Sequence, residues 1–139
     1  MKKIVLSLMA GAAFSVQAAE LSSFSEVADA VSHGQALSFV WSVKNCVSEM
    51  PLPDLTTSIQ PNAVMLVAGQ LITASDRHFT LNDPFLPGTP AFGYSKFEVT
   101  ADGKAALKIT LMRAADYSKV REYSIQCQLG NGLNIFTAG

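Results

Sequence analysis

A repeated alternation of apolar and polar residues is the feature that most constrains what this chain can fold into. It first appears after Ala36, where two serines (Ser38 and Ser42) are out of phase with four apolar residues: Leu37, Phe39, Trp41 and Val43. Because successive side chains of a β-strand point to opposite faces, this pattern predicts a strand with one buried face. Similar segments recur to the end of the chain, so most of it is predicted to be sheet.

One helix is predicted before these strands. Ser23 and Glu26 have the spacing of a capping box, in which each side chain accepts a hydrogen bond from the other residue's backbone N–H. Four apolar residues follow at helical spacing: Phe24, Val27, Ala28 and Val31. Gly34 supplies the left-handed position at which a helix ends. We therefore predict a helix over 23–33 that packs one face on the core.

The later segments define the fold class. Strands are predicted over 36–43, 63–73 (with a bulge at Gly69), 78–81, 94–100, 105–112, 123–129 and 133–137. A loop is predicted over 47–61, a tight turn at Asp102-Gly103 and a hairpin turn at Gly130-Asn131-Gly132. The predicted fold is α+β, with a short N-terminal helix packed on an antiparallel, strongly curved sheet or partly closed barrel of about six strands.

A cleaved signal peptide is predicted at residues 1–18. Two lysines precede an apolar run over 4–14, and small residues precede the expected cleavage after Ala18. The run is shorter than the roughly 20 residues that a membrane-spanning helix requires. We therefore expect an exported protein, periplasmic or secreted, with a single domain over 19–139 and no transmembrane segment in the mature chain.

The charge balance argues against a nucleic-acid partner. The chain has 10 basic and 11 acidic residues, and removal of residues 1–18 takes two lysines and changes the net charge from −1 to −3. Generic binding of nucleic acid depends on clustered basic residues. Most of the mature cations lie between 96 and 122, which we interpret as a solvated face of the sheet. A surface that orients a partner is the alternative.

The two cysteines, Cys46 and Cys127, lie 81 positions apart. In an oxidising compartment they have one possible intramolecular pairing. A redox pair usually has a short spacing such as C-x-x-C, and a zinc site would need two further ligands. We therefore predict a structural disulfide, with a redox or metal role as the alternative.

Residues that could carry catalysis are few. The two histidines, His33 and His78, match no metal-ligand spacing. Asp76, Arg77 and His78 are adjacent, but on a strand Arg77 points away from the other two. We find no nucleophile elbow and no phosphate-binding glycine loop. The sequence therefore predicts no catalytic residues, no metal, no cofactor and no enzymatic activity, and a hydrolase is the weakest alternative.

A proline-rich segment over 82–93 is the preferred candidate for recognition. Its prolines recur every three residues and favour an extended path outside the sheet. The apolar side chains that it carries are Phe85, Leu86 and Phe92. Two interpretations stay open: these side chains fold back over an open end of the sheet, or they anchor a partner.

Five segments of the chain occur in a recognisable order. They are Ala30-Val31-Ser32-His33-Gly34, Trp41-Ser42-Val43-Lys44-Asn45-Cys46, His78-Phe79-Thr80, Asp102-Gly103 and Cys127-Gln128-Leu129-Gly130. In these features the chain resembles the VirK family of bacterial exported proteins over nearly the whole mature chain. The resemblance implies a non-enzymatic protein associated with virulence or host interaction. It carries over Cys46 and Cys127 as a disulfide and no catalytic residue.

The predicted function is that of an exported accessory protein that binds a protein or an envelope component. The alternative is a periplasmic carrier of a small molecule or lipid, which requires a cavity between the helix and the curved sheet. Large residues expected to point inward argue against such a cavity: Phe39, Trp41, Tyr94, Phe97 and Leu107.

Overall fold

The structure is a computed structural model that describes residues 17–137. It contains one α-helix, α1 (Phe24–Ser32), and a short 3-10 turn, Val43–Asn45. The strands are β1 (Glu20–Leu21), β2 (Leu37–Ser42), β3 (Thr56–Ile59), β4 (Ala63–Val67), β5 (Leu71–Thr80), β6 (Ala91–Thr100), β7 (Lys104–Arg113), β8 (Lys119–Leu129) and β9 (Gly132–Thr137). The predicted signal peptide, apart from its last two residues, lies outside the described residues and stays a prediction.

All strands belong to one sheet, in the order β3-β2-β9-β8-β7-β6-β5-β4, with β1 paired to β9. Neighbours are antiparallel except β8 and β9, which pair in parallel at Gln128↔Gly132 and Leu129↔Leu133. The predicted turn is present, because Gln128 and Asn131 exchange two backbone hydrogen bonds of 2.9 and 3.0 Å across Leu129 and Gly130. No hairpin ladder continues from it: β9 leaves β8 after this short contact and forms a longer antiparallel ladder with β2.

The sheet curls into a half-barrel because its two edge strands are consecutive in the chain. β3 and β4 occupy opposite ends of the strand order, yet only residues 60–62 join them. Four Cα–Cα steps separate Ile59 from Ala63, which limits their distance to about 15 Å. The helix α1 packs against β4 beside this connection.

The core lies on the inner face of the curl. Phe39 and Trp41 of β2 stack on Phe97 of β6, with ring centroids 5.5 and 5.4 Å apart. In the strand order β2 and β6 are separated by three strands, so these rings meet across the curl rather than along the sheet. Val27 of α1 is buried in the same cluster, and Phe24, Ala28 and Val31 pack against it, as the helical spacing predicts. Ala30, which lies outside the predicted stripe, is buried as well.

The predicted disulfide between Cys46 and Cys127 is present, with the two Cα atoms 4.6 Å apart. It packs against Gly132, whose φ of +95° lies in the left-handed region. A Cβ at this position would lie 2.6 Å from the Cys46 sulfur. Position 132 therefore requires glycine for two reasons, the backbone conformation and the space that the disulfide occupies.

The sheet has nine strands rather than about six. The short edge strand β3 lies inside the predicted loop 47–61, and β1 was not predicted. The single strand predicted over 63–73 is two strands, because Ala68 and Gly69 adopt positive φ values of 50° and 66° and reverse the chain. The predicted strand over 78–81 is instead the end of β5.

Two further predictions change in β6. This strand begins at Ala91 rather than at Tyr94, which places Phe92 in the sheet instead of the proline-rich loop. Tyr94 also faces outward, because alternation places it opposite to Phe97, which is buried. An inward Tyr94 and an inward Phe97 are incompatible in a regular strand.

The local signals that specify the helix and one hairpin are confirmed. Both hydrogen bonds of the Ser23–Glu26 capping box are present, and Gly34 has a φ of +67° after the helix. The serine backbone N–H groups at Ser22 and Ser23 donate to Glu26, which lowers the pKa of its carboxyl group. The turn at Asp102-Gly103 joins β6 to β7, with a φ of +84° at Gly103.

Candidate binding site

An apolar cavity of about 260 Å³ lies on the inner face of β7 and β8. Its floor is formed by Leu107, Ile109 and Ile125, and its cover by the segment 47–55. Apolar side chains of this segment that line the cavity include Met50, Leu52 and Leu55. The large inward residues named above therefore fill only part of the inner face.

The segment 47–55, which we call the roof, is fastened to β8. It begins directly after the disulfide cysteine Cys46. Val47 and Gln126 exchange two backbone hydrogen bonds of 2.7 and 2.8 Å. The Ser48 hydroxyl donates to the Ser124 carbonyl at 2.9 Å. These contacts hold the cavity between a sheet and a covalently anchored loop.

An arginine lies beside this cavity, between two aromatic rings. The Arg121 guanidinium carbon is 4.0 Å from the ring centroid of Phe85 and 4.9 Å from that of Tyr123. Tyr123 also lines the cavity, so one ring separates the guanidinium from the apolar space. Within residues 17–137, no carboxylate lies within ion-pair distance of Arg121.

Arg121 is not among the candidate residues predicted from the sequence, although its position carries a signal. In the strand predicted over 123–129, alternation places Tyr123, Ile125 and Cys127 on one face. The same alternation, continued two residues towards the start of the strand, places Arg121 on that inward face as well. A charged side chain on the apolar face of a strand is unusual, because charged groups are seldom buried without a partner. The contact with Phe85, 36 positions earlier, could not be predicted from a local pattern.

A second group of aromatic residues lies on the outer face. Phe92 stacks on Tyr117 and meets Phe79 edge to face, in both cases with ring centroids 5.8 Å apart. The Arg77 guanidinium lies over Phe92 at 4.7 Å. Phe79 and Tyr117 are 56% and 57% exposed. We call Phe79, Phe92 and Tyr117 the outer aromatic cluster.

The predicted interaction loop is thus divided between two faces. Phe92 belongs to the outer aromatic cluster, whereas Phe85 is 51% exposed and stacks on the inward-facing Arg121. Leu86 is half-buried between them in the loop. The three residues therefore do not form one recognition surface.

The two histidines lie in different parts of the fold, one at the end of α1 and one on β5. His33 caps α1, where its Nδ1 lies 2.8 Å from the Asp29 carbonyl oxygen. His78 lies on the inner face of β5 with its ring across Gly93, where a Cβ would approach Nε2 to 2.7 Å. Arg77 points to the outer face, as the alternation predicts. Between residues 17 and 137, no group of three His, Cys, Asp or Glu side chains is placed to hold a metal ion.

The cations between 96 and 122 are largely paired on the outer face. Glu122 contacts Lys119 at 2.7 Å and Lys108 at 3.1 Å, and the Thr110 hydroxyl donates to it at 3.2 Å. Lys119 first, and then Lys108, lowers the pKa of Glu122 to about 2. This arrangement matches the interpretation of a solvated face of the sheet, and the ion pairs are an addition to it.

Comparison with known proteins identifies the family. Residues 20–117 match the family model described as VirK protein. The chain belongs to the VirK family. This VirK family chain is similar to lpg1832, a VirK family protein from Legionella pneumophila, at 44% identity and a TM-score of 0.81. The match covers 84% of this chain and 98% of lpg1832. Among curated proteins, none matches the chain.

The resemblance stated from the sequence is therefore confirmed at the level of the family. Within the part of the chain that the structure describes, no helix is long and apolar enough to cross a membrane.

Proposed function

We propose that this VirK family chain is an exported, non-enzymatic accessory protein that binds a protein partner through the outer aromatic cluster. The observation that carries the proposal is the exposure of two aromatic side chains, Phe79 and Tyr117, which both contact the half-buried Phe92. Exposed apolar patches of this kind are typical of interaction sites.

The chemistry of the outer aromatic cluster fits a protein partner. Aromatic side chains and arginine contribute most of the binding energy in protein interfaces, and here Arg77 lies against the same rings. Tyr117 adopts a φ of +60°, a conformation that non-glycine residues rarely take. Its ring is stacked on Phe92 with an angle of 8° between the planes. Backbone strain of this kind is often found at functional sites.

One observation and one prediction support export to the periplasm or the extracellular space. The disulfide Cys46–Cys127 is a bond that persists in oxidising compartments. The predicted signal peptide provides the route, and an association with virulence is what the family resemblance implies. The proposal also holds that the chain is not an enzyme, because the sequence predicts no catalytic residues.

Site-specific photo-crosslinking tests the binding surface directly. We would introduce a benzophenone amino acid at position 79 or 117 of the full chain and irradiate cells of the source organism. Met65 provides a matched control, because it is an outward-facing apolar residue on β4 with 59% exposure. We expect the same protein adduct from positions 79 and 117 and no adduct from position 65.

The double substitution Phe79→Ser/Phe92→Ser should then abolish capture of that protein by the purified chain, while circular dichroism shows an intact sheet. The proposal is overturned if neither position 79 nor position 117 gives a protein adduct. It is also overturned if position 65 gives the same adduct with equal yield.

A further inference from the structure

We infer that the roofed cavity and Arg121 together form a binding site for a small amphiphile with an anionic head and a linear apolar tail. The site lies on the inner face of the sheet. The outer aromatic cluster lies on the opposite face, so this inference does not depend on the proposed function.

The cavity sets the size and polarity of the tail. A protein cavity of about 150 Å³ lined by apolar side chains accommodates benzene, so by proportion 260 Å³ accommodates a tail of about ten carbon atoms. The lining consists mainly of leucine, isoleucine, proline and methionine side chains. Transfer of a hydrocarbon chain from water into such a lining is favourable.

Arg121 sets the charge of the head. Its guanidinium group keeps its positive charge at all physiological pH values. The rings of Phe85 and Tyr123 contact the guanidinium, which fixes its position. Its N–H donors have no carboxylate partner among residues 17–137, and such donors match the geometry of a carboxylate or a phosphate.

The position of Tyr123 joins the two parts of the site. This ring lines the cavity and also contacts the Arg121 guanidinium at 4.9 Å. A tail in the cavity therefore places its head group beside Tyr123, within reach of Arg121. A neutral or cationic head would leave this charge without a partner, which favours an anionic amphiphile.

Calorimetric titration of the disulfide-bonded protein tests the site. The probes are decanoate, decyl phosphate and decyltrimethylammonium, each below its micellar concentration. We expect the two anions to bind and the cation to bind at least tenfold more weakly. From hexanoate to decanoate, affinity should rise about fourfold for each added methylene group, and then level off when the chain exceeds the cavity.

Two pairs of variants separate the head from the tail. Arg121→Gln should weaken decanoate binding at least tenfold, because it removes a charged hydrogen bond. Arg77→Gln is the matched control, since Arg77 also lies over an aromatic ring but on the outer face. Leu55→Trp should block the cavity from the roof, where Leu55 is 50% exposed, while Met65→Trp should not.

The inference is overturned if decanoate and decyl phosphate both fail to bind, or if the cation binds as tightly as the anions. Equal affinity of the Arg121→Gln and Arg77→Gln variants for decanoate also overturns it. Tighter binding of decanoate than of decyl phosphate assigns the site to fatty carboxylates. The reverse order assigns it to phosphate-bearing lipid fragments.

Discussion

The two halves of the inner face are filled in different ways. In one half, Phe39 and Trp41 both stack on Phe97, and none of the three is exposed. In the other half, the sheet faces the roof segment 47–55 and leaves a cavity of about 260 Å³. We call these the packed half and the open half.

The difference follows from what lies opposite to the sheet. In the packed half, the curl brings β2 over β6, so alternating side chains of two strands interlock at the density of a protein interior. In the open half, a loop with prolines covers the sheet, and its side chains lack the regular spacing needed to interlock. The inner face is filled where strands lie on both sides of it. A cavity remains where a loop covers it on one side.

Removal of the disulfide should have the largest effect on stability. The double variant Cys46→Ser/Cys127→Ser opens a link between residues 81 positions apart, which in the chain-entropy model corresponds to about 4 to 5 kcal/mol. Urea unfolding followed by tryptophan fluorescence measures this loss. Addition of a reductant should destabilise the wild-type protein to a similar extent and leave the variant unchanged. A loss below about 1 kcal/mol would contradict the entropic account of this bond.

Two leucine substitutions of equal chemistry should distinguish the two halves. Leu133 is fully buried in the packed half, so Leu133→Ala should lower the free energy of unfolding by about 2 to 5 kcal/mol. Leu52 is half-buried in the roof, where a cavity already exists, and Leu52→Ala should cost only about 1 kcal/mol. Thermal and urea unfolding of both variants provide the comparison. Equal losses would show that the open half is packed as tightly as the other.

The smallest effect is expected on the outer face, at low pH. The pKa of Glu122 is about 2 in the folded protein, against 4.5 for an unperturbed glutamate, so the unfolded state binds the proton more readily. The stabilisation by Glu122 is therefore complete above about pH 4.5 and is lost as the pH falls towards 2.

Urea midpoints of the wild-type protein and of Glu122→Gln, measured between pH 7 and pH 2, test this prediction. The difference between the two proteins should be greatest at neutral pH and should vanish near pH 2. Added salt should reduce it at neutral pH, because the lysine contacts are exposed to solvent. A difference that is independent of pH would exclude the ion pairs as its cause.

The sequence predicts the elements whose signals are local. Ser23 and Glu26 specify the start of the helix, and Asp102-Gly103 specifies a hairpin, because each pair needs only its near neighbours. The edge strand β3 was missed because it pairs on one side only and presents polar residues to solvent. The division of 63–73 depended on Ala68, a residue that does not usually adopt a positive φ.

The candidate site was less predictable than the fold. The Arg121 contacts join residues from the proline-rich loop and from β8, and the roof reaches the sheet through the disulfide and one isolated backbone bridge. None of these contacts leaves a periodic pattern in the sequence. The assignment of Phe85, Leu86 and Phe92 to one loop was wrong for Phe92 because the strand β6 begins three residues earlier than its alternation indicates.

The roof has two fixed ends, and they belong to different strands. At its start Val47 pairs with Gln126 of β8. At its end the Val43 N–H donates to the Leu55 carbonyl at 2.9 Å, and the next residue, Thr56, pairs with Ser42 of β2. Because β9 lies between β2 and β8 in the strand order, this one loop ties three neighbouring strands together across the inner face.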